Sequence, residues 1–274
     1  MKILIICPIH LGDNISDTLP LAYSLKNKNP SCVIDTLVFN KTAYYILKHT
    51  PYFNDHIVGK NIYENISRGV FPNDIDFVKE HEILFKNYDQ IYCLGKGIQK
   101  RCRDAKFIIN NLVERKTLPH NYTPYLVLES YDMPLTNPYL DIKWYDEFFV
   151  DFKCSTSTVV LNCESVQPRK NYNKQNRIID LLSEYDVRVI DTKVDIRTNI
   201  HLINQSPYVL TTDTSTLWIA KCLNKQPHVF FAGDVKFSEI ELGLPNLVSS
   251  HKHVNDIPPE EIVNSFFKKI TKWL

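Results

Sequence analysis

Short apolar runs recur along this chain with helical spacing between them, and that alternation rules out an all-helical or all-β fold. "KILIIC" (2–7) is β-branched, ends at Pro8 and reads as a buried strand. The spacing of "NISDTLPLAYSLKNKN" predicts a helix over 17–27, and "CVIDTLVF" (32–39) is strand-like again. "TAYYILKHT" reads as a short helix, "DHIVG" as a short strand, "FVKEHEILFKN" as a helix and "QIYCLG" (90–95) as another buried strand. "DAKFIINNLVERK" is helical or irregular, and "YLVLE" closes this half.

A polar and aromatic passage, "NPYLDIKWYDEFFVDFKCSTS", interrupts the alternation, which then restarts more clearly. Strands are expected at "TVVLNC" (158–163), "VRVIDT", "YVLTT" and "HVFFAG", with helices "KQNRIIDLLSEY", "NIHLINQ" and "TLWIAKCLN" between them. The tail "PPEEIVNSFFKKITKWL" has prolines and glutamates where an amphipathic helix begins. Two successive βαβα runs imply an α/β fold of two Rossmann-like domains, each a parallel sheet with helices on both faces, facing across a cleft. The expected division is 1–150, 151–257 and a C-terminal helix, 258–274, that packs back on the first domain.

Composition narrows the function classes. With 32 Lys+Arg against 31 Asp+Glu, the net charge of +1 gives no global case for a nucleic-acid or membrane partner. The seven cysteines are odd in number, form no CxxC pair and have no zinc spacing. Most sit inside apolar runs as small hydrophobes, which favours a reducing compartment and a cytoplasmic location. The apolar run at residues 3–7 is too short for a signal-peptide core, and no stretch approaches a membrane span.

Glycine is scarce, at seven residues, and neither GxGxxG nor GxxxxGK[ST] occurs. GxSxG and HExxH are absent too. A phosphate grip must therefore come from Ser/Thr hydroxyls and a helix N-terminus. "TTDTSTLWIAKCLN" offers one: Asp213, Thr214 and Ser215 stand where free N–H groups and the helix dipole favour an anion. Asp213 or Ser215 would equally serve as a plain N-cap there. The second place is "HLGDN" (10–14), a strand-to-helix loop at the carboxyl end of the first strand, where ligands bind in open α/β sheets. Gly12 allows close backbone approach, and Asp13 is either a cap or a base for a substrate hydroxyl.

Together these two segments resemble the signatures of the ADP-heptose:lipopolysaccharide heptosyltransferases, glycosyltransferase family 9. In that family a strand leads into Leu-Gly-Asp, then Thr-x-Pro-Leu, then a Pro before the second strand. Gly12, Asp13, Thr18, Pro20, Pro30 and the strand at 33–38 keep those places. The C-terminal signature is Asp-Ser/Thr-Gly-x-x-His-x-Ala followed by Lys-Pro and a strand ending in Gly. Asp213, Thr214, Ala220, Pro227 and Gly233 match it, while Ser215 replaces the Gly and Trp218 the His.

The resemblance implies a GT-B glycosyltransferase that is inverting, metal-independent and without a cofactor, using a nucleotide-diphosphate sugar held by the second domain. It implies Asp13 as general base, with Gly12 supporting its turn. Thr214 and Ser215 would stabilise the leaving diphosphate, and Asp213 would lie near sugar hydroxyls. The family's donor loop carries Ser/Thr and a basic residue, here Ser165 with Arg169 or Lys170 in "NCESVQPRKNYN".

The segment 96–116 holds seven Lys/Arg against two acids. Lys96, Lys100, Arg101 and Arg103 at its start suit a phosphorylated acceptor, or otherwise form a solvated helix face. A lipopolysaccharide-type saccharide is the acceptor the family mostly serves. The alternatives are a phage-encoded enzyme that glycosylates hydroxymethylated pyrimidines in DNA and a non-catalytic sugar-nucleotide or nucleic-acid binding module on a degenerate GT-B scaffold.

Overall fold

The structure, a computed structural model, describes residues 1–8, 10–59, 81–94, 111–114, 124–134, 153–165, 168–232, 246–248 and 251–270. The first apolar run forms β1 (Lys2–Ile6), in which Ile3, Leu4, Ile5 and Ile6 are all fully buried. Burial on both faces is the mark of a central strand in a parallel sheet, and it explains why the run is continuously apolar rather than alternating. β1 pairs in parallel with β2 (Val33–Val38) on one side and with β4 (Gln90–Cys93) on the other. The edge strand β3 (Asp55–Val58) extends the sheet beyond β2, for the order β3-β2-β1-β4.

Helix α1 (Leu19–Lys28) leads from β1 toward β2, and α2 (Lys41–Leu47) from β2 toward β3. The side chain of Asn40 caps α2 by accepting the N–H groups of Thr42 and Ala43 at 2.8 and 3.1 Å. "YLVLE" lies in a helix, α3 (Pro124–Ser130). One core cluster gathers Leu4, Ile6, Leu37, Phe85, Ile91 and Cys93 against this sheet.

The chain divides into two compact units, Met1–Tyr145 and Asp146–Leu274, so the division falls inside the polar and aromatic passage. The second unit starts with β5 (Thr158–Asn162), buried at every residue. Then come α4 (Gln175–Leu181), β6 (Asp186–Val189), α5 (Ile196–Gln205) and β7 (Tyr208–Thr211). They are followed by α6 (Ser215–Cys222), β8 (His228–Phe231), the three-residue β9 (Asn246–Val248) and α7 (Pro259–Ile270). All strand pairs are parallel, in the order β6-β5-β7-β8-β9. The strand order reverses beside β1 in the first sheet and beside β5 in the second. Those reversals are the switch points at which α/β sheets open a crevice beyond their carboxyl ends.

The C-terminal helix is seated by its apolar stripe. That stripe, Ile262, Val263, Phe266 and Ile270, packs with Val159, Leu161, Leu210 and Phe230 in the core of the second unit. The spacing i, i+1, i+4, i+8 puts these side chains on one face, and the bare face of the second sheet is the apolar surface they cover. Among the described residues no helix is long and apolar enough to cross a membrane.

Lys269, on the same helix, is 8% exposed and donates to the Gln226 carbonyl at 2.7 Å. Burial, with Lys221 nearby, pushes its ammonium down from 10.5 to about 7. Above that value the unfolded chain still binds a proton that the folded chain has released, so stability rises with pH. The slope has a ceiling of about 1.4 kcal/mol per pH unit. The thiols of Cys7 and Cys163, pushed by burial from 9.0 up to about 12, act in the opposite sense once unfolding lets them ionise. The window for Lys269 is therefore about pH 7 to 8.5. Urea midpoints are expected to rise across it in the wild type and to rise less in Lys269→Met; equal slopes would refute the assignment.

Candidate functional site

At the β1 switch point, Gly12 and Asp13 sit in a helical turn, Leu11–Asp13, rather than on a loop. The turn runs directly into a π-helical segment, Asn14–Thr18, closed by the Leu19 N–H on the Asn14 carbonyl, and then into α1. Pro20 supplies the reason for the wide turn: it has no N–H to offer the carbonyl of Ser16, and its ring crowds that carbonyl. Single π turns of this kind gather at functional sites. Asp13 is half-buried.

Asn14, fully buried, donates from Nδ2 to the carbonyls of Pro8 (2.7 Å) and His10 (2.8 Å), fastening the end of β1 to the helical turn that carries Asp13. Asp17 is buried as well, accepting the Ser16 hydroxyl at 2.8 Å. Neither Asn14 nor Asp17 stands out in the sequence.

At the β5 switch point three segments converge. Thr214 is the N-cap of α6: its backbone is extended (φ −138°, ψ 179°) and its hydroxyl accepts the Thr216 N–H at 3.3 Å. The capping role therefore falls to Thr214, not to Asp213 or Ser215. The carboxylate of Asp213 pairs instead with the Lys170 ammonium. The two side chains are 8% and 20% exposed, so the ion pair is largely shielded from water.

Lys170 rides on a loop that is fastened at several points. The Ser165 N–H bonds to the side-chain carbonyl of Asn171. Asn255 accepts the Asn173 N–H at 2.7 Å and donates to the Asn171 carbonyl at 2.8 Å. Tyr172 gives its N–H to the Cys163 carbonyl (2.9 Å) and its hydroxyl to the Ile257 carbonyl (2.8 Å). Burial raises the phenol of Tyr172, which keeps that hydroxyl a donor. Trp218 is buried, at 5% exposure.

The structure thus brings Lys170, Asp213, Thr214 and Ser215 to the carboxyl ends of β5 and β7, with Ser165 on the same loop as Lys170. It holds Asp13 and Gly12 at the carboxyl end of β1. Lys96, Lys100, Arg101, Arg103 and the side chain of Arg169 lie outside the described residues. No group of three or more His, Cys, Asp or Glu that could hold a metal occurs among the described residues.

What this arrangement can do chemically follows from charge. A helix start and a lysine ammonium favour an anion, while a carboxylate beside them suits hydroxyl groups. An anionic group carrying a polyol fits both demands.

No protein-family model matches the chain, and no curated protein matches it in sequence. Solved structures do match. The glycosyl transferase family 9 protein from Veillonella parvula DSM 2008 superposes with a TM-score of 0.70 at 13% identity, over 99% of this chain and 97% of that one. The E. coli ADP-heptose lipopolysaccharide heptosyltransferase II gives 0.67 at 15% identity, over 99% of each chain. The E. coli heptosyltransferase WaaC with ADP-2-deoxy-2-fluoro heptose gives 0.65 at 13%, over 98% of this chain and 100% of that one. The chain has the fold of the family 9 glycosyltransferases, the GT-B fold that the heptosyltransferases share.

Proposed function

We propose that the protein is an inverting glycosyltransferase that moves a sugar from a nucleoside-diphosphate donor to a hydroxyl of a phosphorylated acceptor, without a metal in the step. The observation that carries the reading is the Lys170–Asp213 pair beside the capped start of α6, at the switch point of the second sheet. Likeness in fold to structures named as heptosyltransferases, one of them holding an ADP-sugar analogue, adds support.

In this reading the diphosphate is held by Lys170 and the groups at the start of α6, Ser165 lies beside it, and Asp213 faces sugar hydroxyls. The Asp13 carboxylate takes the proton of the acceptor hydroxyl as its oxygen attacks the anomeric carbon. A glycosidic bond forms while the bond from that carbon to the diphosphate oxygen breaks, and the electron pair leaves with the nucleoside diphosphate. Its growing charge is met by the ammonium and the N–H dipoles. One displacement inverts the anomeric centre.

The acceptor we favour is a lipopolysaccharide-type saccharide, and the cytoplasm is the compartment that suits the free thiols among the described cysteines. The basic composition of 96–116 keeps modified DNA as the second reading.

A thermal-shift panel of ADP, UDP, GDP, ADP-heptose and UDP-hexoses tests the donor site. Ligand at 100 times its dissociation constant stabilises the folded state by about 2.7 kcal/mol, a shift of several degrees. Stabilisation by one base is the expected result; silence from all of them at millimolar ligand would move the assignment to the non-catalytic module. Duplex DNA retarded in a gel at low salt, with retardation lost as salt rises, would favour the DNA acceptor. Transfer lost to a chelator and restored by a metal ion would overturn the metal-free step.

A further inference from the structure

We propose that Asn162 is a positioning residue for the donor site, one that turns the Thr214 hydroxyl inward and leaves Ser215 and Lys170 to meet the diphosphate. The inference rests on the donor-site reading given above.

Asn162 ends β5, a strand otherwise made of Thr158, Val159, Val160 and Leu161, all fully buried; Asn162 itself is 4% exposed. An amide buried there is unfavourable unless its polar groups are paired. Each of them is paired. Nδ2 donates to the Thr214 hydroxyl at 3.0 Å and to the Thr216 hydroxyl at 2.7 Å. Oδ1 accepts the Glu164 N–H at 2.9 Å, and the main-chain carbonyl accepts the Thr212 N–H at 3.1 Å. The Glu164 bond fixes which way the amide faces, because a flipped amide would set two donors against each other.

The consequence for Thr214 follows by counting donors. Its hydroxyl oxygen accepts from Asn162 Nδ2 and from the Thr216 N–H. The Thr211 hydroxyl donates to the Thr212 carbonyl at 2.9 Å, so across the 3.2 Å contact between the Thr211 and Thr214 hydroxyls Thr214 is the donor. With two bonds accepted and one donated, the Thr214 hydroxyl is fully engaged inside the protein. Of the first N–H groups of α6, that of Thr216 goes to the Thr214 hydroxyl and that of Leu217 to the Thr214 carbonyl at 3.1 Å. The Ser215 N–H and hydroxyl are what the helix start presents to an anion. Asn162 therefore sets the place and the polarity of that end of α6 from the strand behind it.

Asn162→Asp keeps the shape, replaces the NH2 and its two N–H donors by one acceptor oxygen and sets a negative charge behind the anion site. Calorimetric titration of the full chain with ADP, UDP and GDP is expected to show a dissociation constant raised about 10-fold or more for the base that binds the wild type. Ser206→Ala is the comparison. Ser206 bonds the Thr158 and Tyr208 carbonyls (2.8 and 2.9 Å) at the opposite end of the same strands, so its loss lowers the melting temperature and is expected to leave nucleotide affinity within about 2-fold. Asn162→Ser, which keeps one donor, is read in the same way if the aspartate variant does not fold, with an intermediate loss expected.

Wild-type affinity in the folded Asn162 variant overturns the inference and leaves the donor site standing. So does a loss in Ser206→Ala that matches the Asn162 variant at equal melting temperature, since Asn162 is then merely structural. A wild type that binds none of the three nucleotides overturns the donor-site reading, and this inference with it.

Discussion

Asp13→Asn is expected to lower the rate of sugar transfer by about a thousand-fold while leaving nucleotide affinity within about two-fold. Positioned general bases contribute on the order of 10²–10⁴ in rate, and an amide of the same size cannot take the acceptor's proton. The separation of the two effects follows from the fold. Asp13 stands at the carboxyl end of β1 in the first unit, whereas Lys170, Asp213 and Ser215 belong to the second. The helical turn that carries Asp13 is fastened through Asn14, whose bonds to Pro8 and His10 the substitution leaves in place. Turnover at saturating donor, compared with the dissociation constant of the nucleoside diphosphate, checks both halves. Full activity in Asp13→Asn would remove the catalytic assignment, and equal losses in rate and nucleotide binding would make Asp13 a binding residue.

Lys170→Met is expected to weaken donor binding by about a hundred-fold. One part is the lost bond between an ammonium and a phosphate, and hydrogen bonds to charged groups are worth about 1.5–3 kcal/mol. The other part comes from Asp213. Its carboxylate is 8% exposed and pairs with Lys170, so the substitution leaves a shielded negative charge facing an incoming anion. The double variant Lys170→Met/Asp213→Asn separates these parts: it should recover stability and some of the lost affinity, but not the direct contact. Titration with the preferred nucleoside diphosphate reads both. An unchanged dissociation constant in Lys170→Met would remove both Lys170 and Asp213 from the donor site.

Both parallel sheets could be read from the sequence because their central strands are buried on two faces and therefore continuously apolar, as in β1 and β5. β9, with Asn246, Leu247 and Val248, is too short to carry a pattern, and only its pairing with β8 makes it a strand. The destination of α7 was illegible for another reason: an amphipathic stripe reports that a helix has an apolar face, not which surface covers it.

The sites divide in the same way. Gly12-Asp13 and Asp213-Thr214-Ser215 could be found because each follows a strand and opens a helix. Which of Asp213, Thr214 and Ser215 caps α6 could not be found, since all are good capping residues and the backbone at Thr214 decides. Asn162 and Asn255 are not legible in the sequence because their partners lie far along the chain. Asn162 bonds Thr214 across 52 positions, and Asn255 bonds Asn171 across 84. A lone asparagine at the end of a buried strand, as in "TVVLN", is the signal that could have marked the first of them.

The seating of α7 sets a timetable for synthesis. Phe266 closes a core begun at Val159, and Leu161 and Phe230 share that core, so the second sheet has a wet apolar face until α7 has left the ribosome. The first unit takes its core cluster from residues made earlier and is free to fold while translation continues. A ribosome stalled short of Pro259 would therefore hold one finished half and one adhesive half. Nascent chains of this protein are most in need of a chaperone between the emergence of β8 and that of α7.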